Sequence, residues 1–261
     1  MSQATNKLPA VFLGHGTPMY AIEPCHYTDA WVKLGKSLPR PKAILMISAH
    51  WLTRQTWVTA MEKPQTIHDF GGFPSELFAQ QYPAPGSPDL ARLVQEIMAP
   101  TPVILEEHEW GFDHGTWATL KYLYPEADIP VVQLSLDATL TGAQHYELAK
   151  KLRPLREQGI LIAASGNVVH NLMLLNRSDK KGEDWAHRFN DYFKKHLLEN
   201  NHPPLINPMT MGVEAKMSIP TPEHYWPALY ILAQQEAGEE IKIVSDGIDT
   251  GSVSMLSFTV G

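Results

Sequence analysis

Short apolar runs of strand length recur along the chain: Ala10 to Leu13, Ala43 to Ile47, Trp57 to Met61, Val103 to Leu105, Ile129 to Leu136 and Ile160 to Ala164. They are rich in Val, Ile and Leu with little polar alternation, the pattern of strands covered on both faces. Amphipathic stretches lie between them. Tyr27 to Leu38 sets Trp31, Leu34 and Leu38 at helical spacing. Ser87 to Met98 opens with a Ser-Pro cap and first-turn proline and continues through Leu90, Leu93, Val94 and Ile97. Gly142 to Gln158, which Pro154 should kink or end, Asp184 to Leu198 and Thr221 to Glu236 are further helices by pattern. Two β-like runs, Ile241 to Val244 and Ser252 to Val260, close the sequence. This order predicts an α/β fold: a single domain with a mostly parallel central sheet, helices on both faces, and a functional site at the C-terminal ends of the strands. No repeat or linker divides residues 1–261, of which the polar 1–8 should be flexible. The proline-rich loop Lys63 to Pro88 is long enough to form a wall of that site.

Composition narrows the partners. With 21 Lys+Arg against 28 Asp+Glu the net charge is −7, and basic residues do not cluster, which argues against nucleic-acid binding. There is no run of about 18 apolar residues and the N-terminus is polar, so the expectation is a cytoplasmic protein that neither spans a membrane nor carries a secretory signal. Small molecules become the expected partners, with a monomer or small homo-oligomer as the assembly. Twelve histidines stand beside one cysteine, Cys25, so imidazole chemistry is plentiful and disulfide or thiol chemistry is not.

Histidine recurs just past strands of one polarity: Leu13-Gly14-His15-Gly16, Ser48-Ala49-His50-Trp51, and Ser165-Gly166-Asn167-Val168-Val169-His170. Parallel strands bring such residues to one rim, where imidazoles can converge on a metal. In Thr221-Pro222-Glu223-His224-Tyr225, Thr221 is a candidate N-cap. The helix dipole suits Glu223 there without any further role, whereas a neutral, metal-bound His224 escapes the repulsion a cation would meet. His224 is therefore the preferred ligand. Two further segments, Trp110 to Trp117 around Asp113-His114 and Thr66 to Pro74 around His68 and Phe70, mix aromatics, glycine and an Asp-His pair, as a pocket wall with a polar handle would. His114 is the stronger functional candidate of the two histidines. His26, His108, His145, His187, His196 and His202 read as solvated.

At Gly14-His15-Gly16-Thr17-Pro18, Ser48-Ala49-His50-Trp51, Thr66-Ile67-His68-Asp69-Phe70, Gly111-Phe112-Asp113-His114-Gly115, Gly166-Asn167-Val168-Val169-His170-Asn171 and Thr221-Pro222-Glu223-His224-Tyr225, the chain closely resembles the 4,5-DOPA extradiol dioxygenases of the class III, LigB-type superfamily. The likeness runs from residue 9 to Gly251-Ser257. It implies His15, His50 and His224 as metal ligands, His170 as acid/base or further ligand, and His114 on the substrate side. Trp51, His68, Phe70 and Trp110 would line the substrate pocket. The implied reaction opens a catechol such as L-DOPA beside its two hydroxyls, with O2 inserted, to a muconate semialdehyde. The implied cofactor is one divalent metal: Zn2+ in purified protein and Fe2+ for turnover, since zinc has no redox chemistry. A non-redox zinc protein of the same fold, either a hydrolase or a binding protein, is the competing expectation.

Overall fold

The computed structural model describes residues 7–179 and 181–261. Its strands are β1 (Ala10–Gly14), β2 (Ala43–Thr53), β3 (Thr56–Thr59), β4 (Val103–Glu106), β5 (Val131–Asp137), β6 (Ile160–Gly166), β7 (Ile241–Ser245), β8 (Ile248–Asp249), β9 (Val253–Ser254) and β10 (Ser257–Val260). Eight of them form one sheet in the order β4-β3-β5-β2-β6-β1-β10-β7, and β8 pairs with β9 in a small hairpin. The central strands β5, β2, β6 and β1 run parallel. β3 joins β5, and β10 joins β1, in the antiparallel sense. The single α/β domain with a mostly parallel sheet is thus as the hydrophobic pattern predicts.

Unbroken apolar strands serve two cores because successive side chains point to opposite faces. Val11, Leu13, Ile44, Met46, Leu161 and Ala163 pack with Trp31, Leu34, Trp117 and Leu120 from the helices His26–Ser37 and His114–Leu123. Their alternates, including Phe12, Leu45, Ile47 and Ile162, face Val94, Phe189, Phe193 and Leu229 from the helices Pro88–Ile97, Asp184–Leu198 and Trp226–Leu232.

Several boundaries differ from the pattern. The stretch Gly142 to Gln158 gives a helix over Gly142–Lys150 and a separate turn of helix at Pro154–Glu157, as its proline requires. The helix expected from Thr221 begins only at Trp226 and ends at Leu232. Ser252 to Val260 divides into β9 and β10, and β9 leaves the main sheet. β2 runs on to Thr53, so His50 lies inside the strand rather than past it. His145 is fully buried rather than solvated: its Nδ1 lies 3.1 Å from the Tyr230 hydroxyl and its ring packs on Trp226. Of the 1–8 segment, residues 1–6 lie outside the described residues, while Leu8 is buried and its amide donates to the Arg156 carbonyl at 3.0 Å. Among the described residues no helix is long and apolar enough to cross a membrane.

Candidate metal centre

β1 ends at Gly14 and presents His15, whose amide donates to the Gly166 carbonyl at 3.2 Å, so the first histidine is tied to the end of β6. His50 sits where the pairing of β2 with β5 loses register between Ile47 and Leu52. His224 belongs to a tight turn in which the amides of Tyr225 and Trp226 both donate to the Pro222 carbonyl. That turn rests on Gly166: the Asn167 amide donates to the His224 carbonyl at 2.8 Å, and a Cβ at residue 166 would stand 2.3 Å from the same oxygen. Thr221 caps no helix, and its hydroxyl donates to Glu223 instead. The dipole argument for His224 therefore falls, because this turn precedes the helix. What positions the ring is the contact with β6.

The rings nonetheless converge. Nε2 of His15 and Nε2 of His50 are 3.1 Å apart, and the His224 ring centroid lies 5.4 Å from that of His15 and 4.9 Å from that of His50. Each ring turns its other nitrogen outward: His15 Nδ1 to the Ser165 hydroxyl at 2.7 Å, His50 Nδ1 toward Asp69 Oδ2 at 3.3 Å, and His224 Nδ1 to Glu223 Oε1 at 3.2 Å. His224 Nε2 is buried and has no hydrogen-bond partner among the described residues. An orphaned imidazole nitrogen beside two others, each ring held from behind by an oxygen, is the donor arrangement of a histidine metal site. Neutral nitrogen donors of this kind suit zinc, iron or another first-row divalent ion.

His170 stacks on His224 with centroids 3.5 Å apart and planes within 7°. His114 approaches His50 at 3.9 Å and His15 at 5.6 Å. Five of the six histidines singled out at strand ends, turn and pocket wall are thus brought to one place, His68 being the exception. Their ligand atoms form two close groups, His15 with His50 and His114, and His170 with Glu223 and His224, each with atoms within 4.8 Å of one another.

Burial sets the charge of this cluster. It pushes His15 and His50 well below the usual imidazole value, and the neighbouring histidines push them further. His170 is driven down to about 3 by burial and then by His224. In His224 burial also outweighs the opposing pull of Glu223. His15, His50, His170 and His224 are accordingly neutral near pH 7, the form in which imidazole ligates. For Glu223 burial works upward, but hydrogen bonds from His224 and Thr221 bring it to about 2. For Asp69 the bonds from His114 likewise overcome burial and lower it.

Residues 9–247 match the family described as the catalytic LigB subunit of aromatic ring-opening dioxygenase. The chain belongs to the LigB family. It is 50% identical to the 4,5-DOPA dioxygenase extradiol of Escherichia coli K12, over 99% of this chain and 96% of that one. It is 34% identical to the protein of the same name from Beta vulgaris, over 99% and 98%. A crystal structure of an uncharacterized E. coli K12 protein superposes with a TM-score of 0.86 at 46% identity, covering 98% of this chain and 100% of that one. These relatives make the enzyme class that of extradiol ring-cleavage dioxygenases, so the resemblance carried by the sequence motifs holds.

Around the LigB histidine cluster the predicted wall residues separate. Phe70 stands edge-on to His114 with centroids 5.6 Å apart. His68 Nε2 lies 2.9 Å from the Gln80 carbonyl, and its ring packs on Phe70, Phe78 and Trp117, which fastens the loop. Trp51 and Trp110 stack on each other at 5.6 Å, within 6° of parallel, and Trp110 Nε1 is buried without a hydrogen-bond partner among the described residues. Four residues beneath the rings were not picked out by motif reading: Asp69, Glu223 as an orienting group, Ser165 and Ser48. Asp69 and Glu223 each adjoin a histidine in sequence, which is the one local signal for them. Nothing local marks Ser165 or Ser48.

Proposed function

We propose that this LigB enzyme opens a catechol such as L-DOPA beside its two hydroxyls, inserting both atoms of O2 to give a muconate semialdehyde, with the metal held by His15, His50 and His224. The observation that carries the ligand set is the buried, partnerless Nε2 of His224 beside the 3.1 Å pair of His15 and His50 nitrogens. That spacing is compatible with one ion bound at about 2.0–2.1 Å by each nitrogen. A divalent metal bound there supplies a Lewis acid for the catechol oxygens and, where it is iron(II), the redox chemistry that O2 requires.

The chain's own groups do the rest. Kept neutral by burial, His170 can accept a catechol proton or add a fourth nitrogen donor. Nδ1 of His114 is engaged by Asp69, so its Nε2 is the atom left for a substrate hydroxyl. Phe70, edge-on to His114, offers an apolar surface to a flat ring, with the stacked Trp51 and Trp110 as further wall and His68 holding the loop. The carboxylates of the site are committed: Asp69 and Glu223 to histidines, and Asp113 to Ser48 and Gln133. A zinc hydrolase would need one of them, or His170, to activate water, and the aromatic wall favours the catechol reading over it. A single cysteine and an acidic, metal-binding chain suit a reducing cytoplasm and small-molecule partners.

The test is anaerobic removal of metal, reloading with Fe2+ or Zn2+, and admission of air with L-DOPA, dopamine, caffeate or protocatechuate. Iron-loaded protein should give a yellow ring-fission product from at least one catechol, and zinc-loaded protein none. An iron-loaded sample that leaves every catechol unchanged would move the site to the binding or hydrolase reading.

A further inference from the structure

The loop carrying His68 also carries Asp69, whose carboxylate touches two members of the cluster at once. Asp69 Oδ1 accepts from the His114 amide at 2.8 Å, and Oδ2 lies 2.9 Å from His114 Nδ1 and 3.3 Å from His50 Nδ1. A ring nitrogen facing a carboxylate oxygen at these distances is favoured when it bears the proton, because two lone pairs would otherwise oppose each other. One oxygen thereby favours the Nδ1–H tautomer in both rings, through a hydrogen bond at His114 and through electrostatic contact at His50. Each ring then presents an unprotonated Nε2: that of His50 toward His15, and that of His114 on the side of the ring not taken by Asp69.

We propose that Asp69 is a positioning residue that orients and fixes the tautomers of a metal ligand, His50, and of the substrate-side histidine, His114, with a single carboxylate. This rests on the ligand set proposed above. The arrangement links metal binding to proton handling. Whatever displaces Asp69 loosens the ligand and the substrate-side histidine together, although the two rings come from different elements, β2 and the start of the helix His114–Leu123. Asn is a poor substitute for a specific reason. With its oxygen between the two rings, its NH2 faces the His114 amide donor. With the amide flipped, the NH2 faces both Nδ1 atoms and drives the protons to Nε2, where one would block His50 as a ligand. Glu keeps the charge and both oxygens but adds one methylene of reach.

The experiment uses the full-length wild type, Asp69→Asn, Asp69→Glu and His114→Ala, with Asp69→Asn also placed in the His114→Ala background. Zn2+ affinity is read by competition with a chelator, catechol cleavage on iron-saturated protein, and folding by thermal melting. Asp69→Asn should weaken Zn2+ binding about 10–100-fold, the usual effect of losing a group that orients a metal-bound histidine. On saturated protein it should lower kcat with little change in KM, and Asp69→Glu should recover part of both losses. In the His114→Ala background the further loss of kcat should nearly vanish while the loss of Zn2+ affinity through His50 persists. Wild-type Zn2+ affinity in Asp69→Asn, or losses that Asp69→Glu does not restore and that follow the melting temperature, would overturn the proposal. The zinc measurement stands apart from turnover: a wild type that binds zinc but cleaves no catechol counts against the proposed reaction, with the role of Asp69 at His50 still decided by the zinc affinities.

Discussion

Gly166 illustrates how much of the centre depends on one missing atom. The glycine lets the His224 turn lie directly on the end of β6, where the Asn167 amide holds the His224 carbonyl at 2.8 Å. A Cβ there would come within 2.3 Å of that oxygen and 3.2 Å of the Pro227 ring, and neither a backbone carbonyl nor a proline ring is a flexible chain end that could yield. Gly166→Ala should therefore lift the turn, withdrawing His224 Nε2 from His15 and His50. The expected cost is about 1–3 kcal/mol of stability, as for overpacking elsewhere, together with weaker metal binding. Denaturant melts and a chelator titration measure the two effects. A variant matching wild type in both would mean that the turn accommodates a methyl group and that the close approach does not set the ligand. The sequence places this glycine just past an apolar strand. Its more specific role was illegible because the atom it makes room for lies 58 residues further along the chain, at His224.

At the scale of elements, the helix His114–Leu123 brings the substrate-side histidine to the metal ligands, and Asp113 anchors its start. The Asp113 carboxylate accepts from the Thr116 amide at 3.1 Å, from the Ser48 hydroxyl at 2.6 Å and from the Gln133 amide, joining the helix to β2 and β5. Removing it in Asp113→Ala loses an N-cap contribution of about 0.5–2 kcal/mol. It also strands two buried donors at about 1–3 kcal/mol each. The denaturation midpoint should fall accordingly, and since Ser48 Oγ also accepts the His50 amide at 3.2 Å, metal affinity should fall with it. A loss below about 0.5 kcal/mol, the range of ordinary surface changes, would count against this anchor. Elements were legible wherever burial alone determined them: the apolar runs of β1, β5 and β6, the proline-started helix Pro88–Ile97, and the helix Asp184–Leu198 are as the pattern predicts. Polar residues at the rim hid the rest. Ser48 and His50 broke the apolar run that would have extended β2, and Gln144-His145-Tyr146-Glu147 disguised a buried ring as a surface one. The same limit applied to the site, where strand polarity brought the histidines together while the oxygens behind them left little local mark.

For the molecule as a whole, the two cores meet at a sheet whose strand ends opposite the histidine rim are closed by a buried cation. Arg156, 1% exposed, donates to the carbonyls of Leu8 at 2.7 Å, Gln234 at 2.7 Å and Val260 at 3.3 Å, and forms a two-pronged pair with Glu239 at 2.8 and 3.0 Å. It thus ties the entry to β1, the end of β10 and the turn after the helix Trp226–Leu232 into one knot. Its charge is tolerable in the interior because Glu239 is ionised. Burial pushes the Glu239 carboxyl upward, but the bonds from Arg156 and Lys7 bring it from near 4.5 down to about 2. A folded-state value below the unfolded one means that the carboxyl contributes its full stabilisation above about pH 4.5 and loses it as the pH falls toward about 2. Glu239→Gln lacks that contribution at every pH. The stability gap between wild type and Glu239→Gln should therefore be constant from neutral pH to about pH 5 and close progressively below, while the titration of the histidines, common to both proteins, cancels in the difference. Chemical denaturation of the two proteins at a series of pH values measures it, and a gap that stayed level down to pH 3 would show that the carboxylate charge is not what balances Arg156.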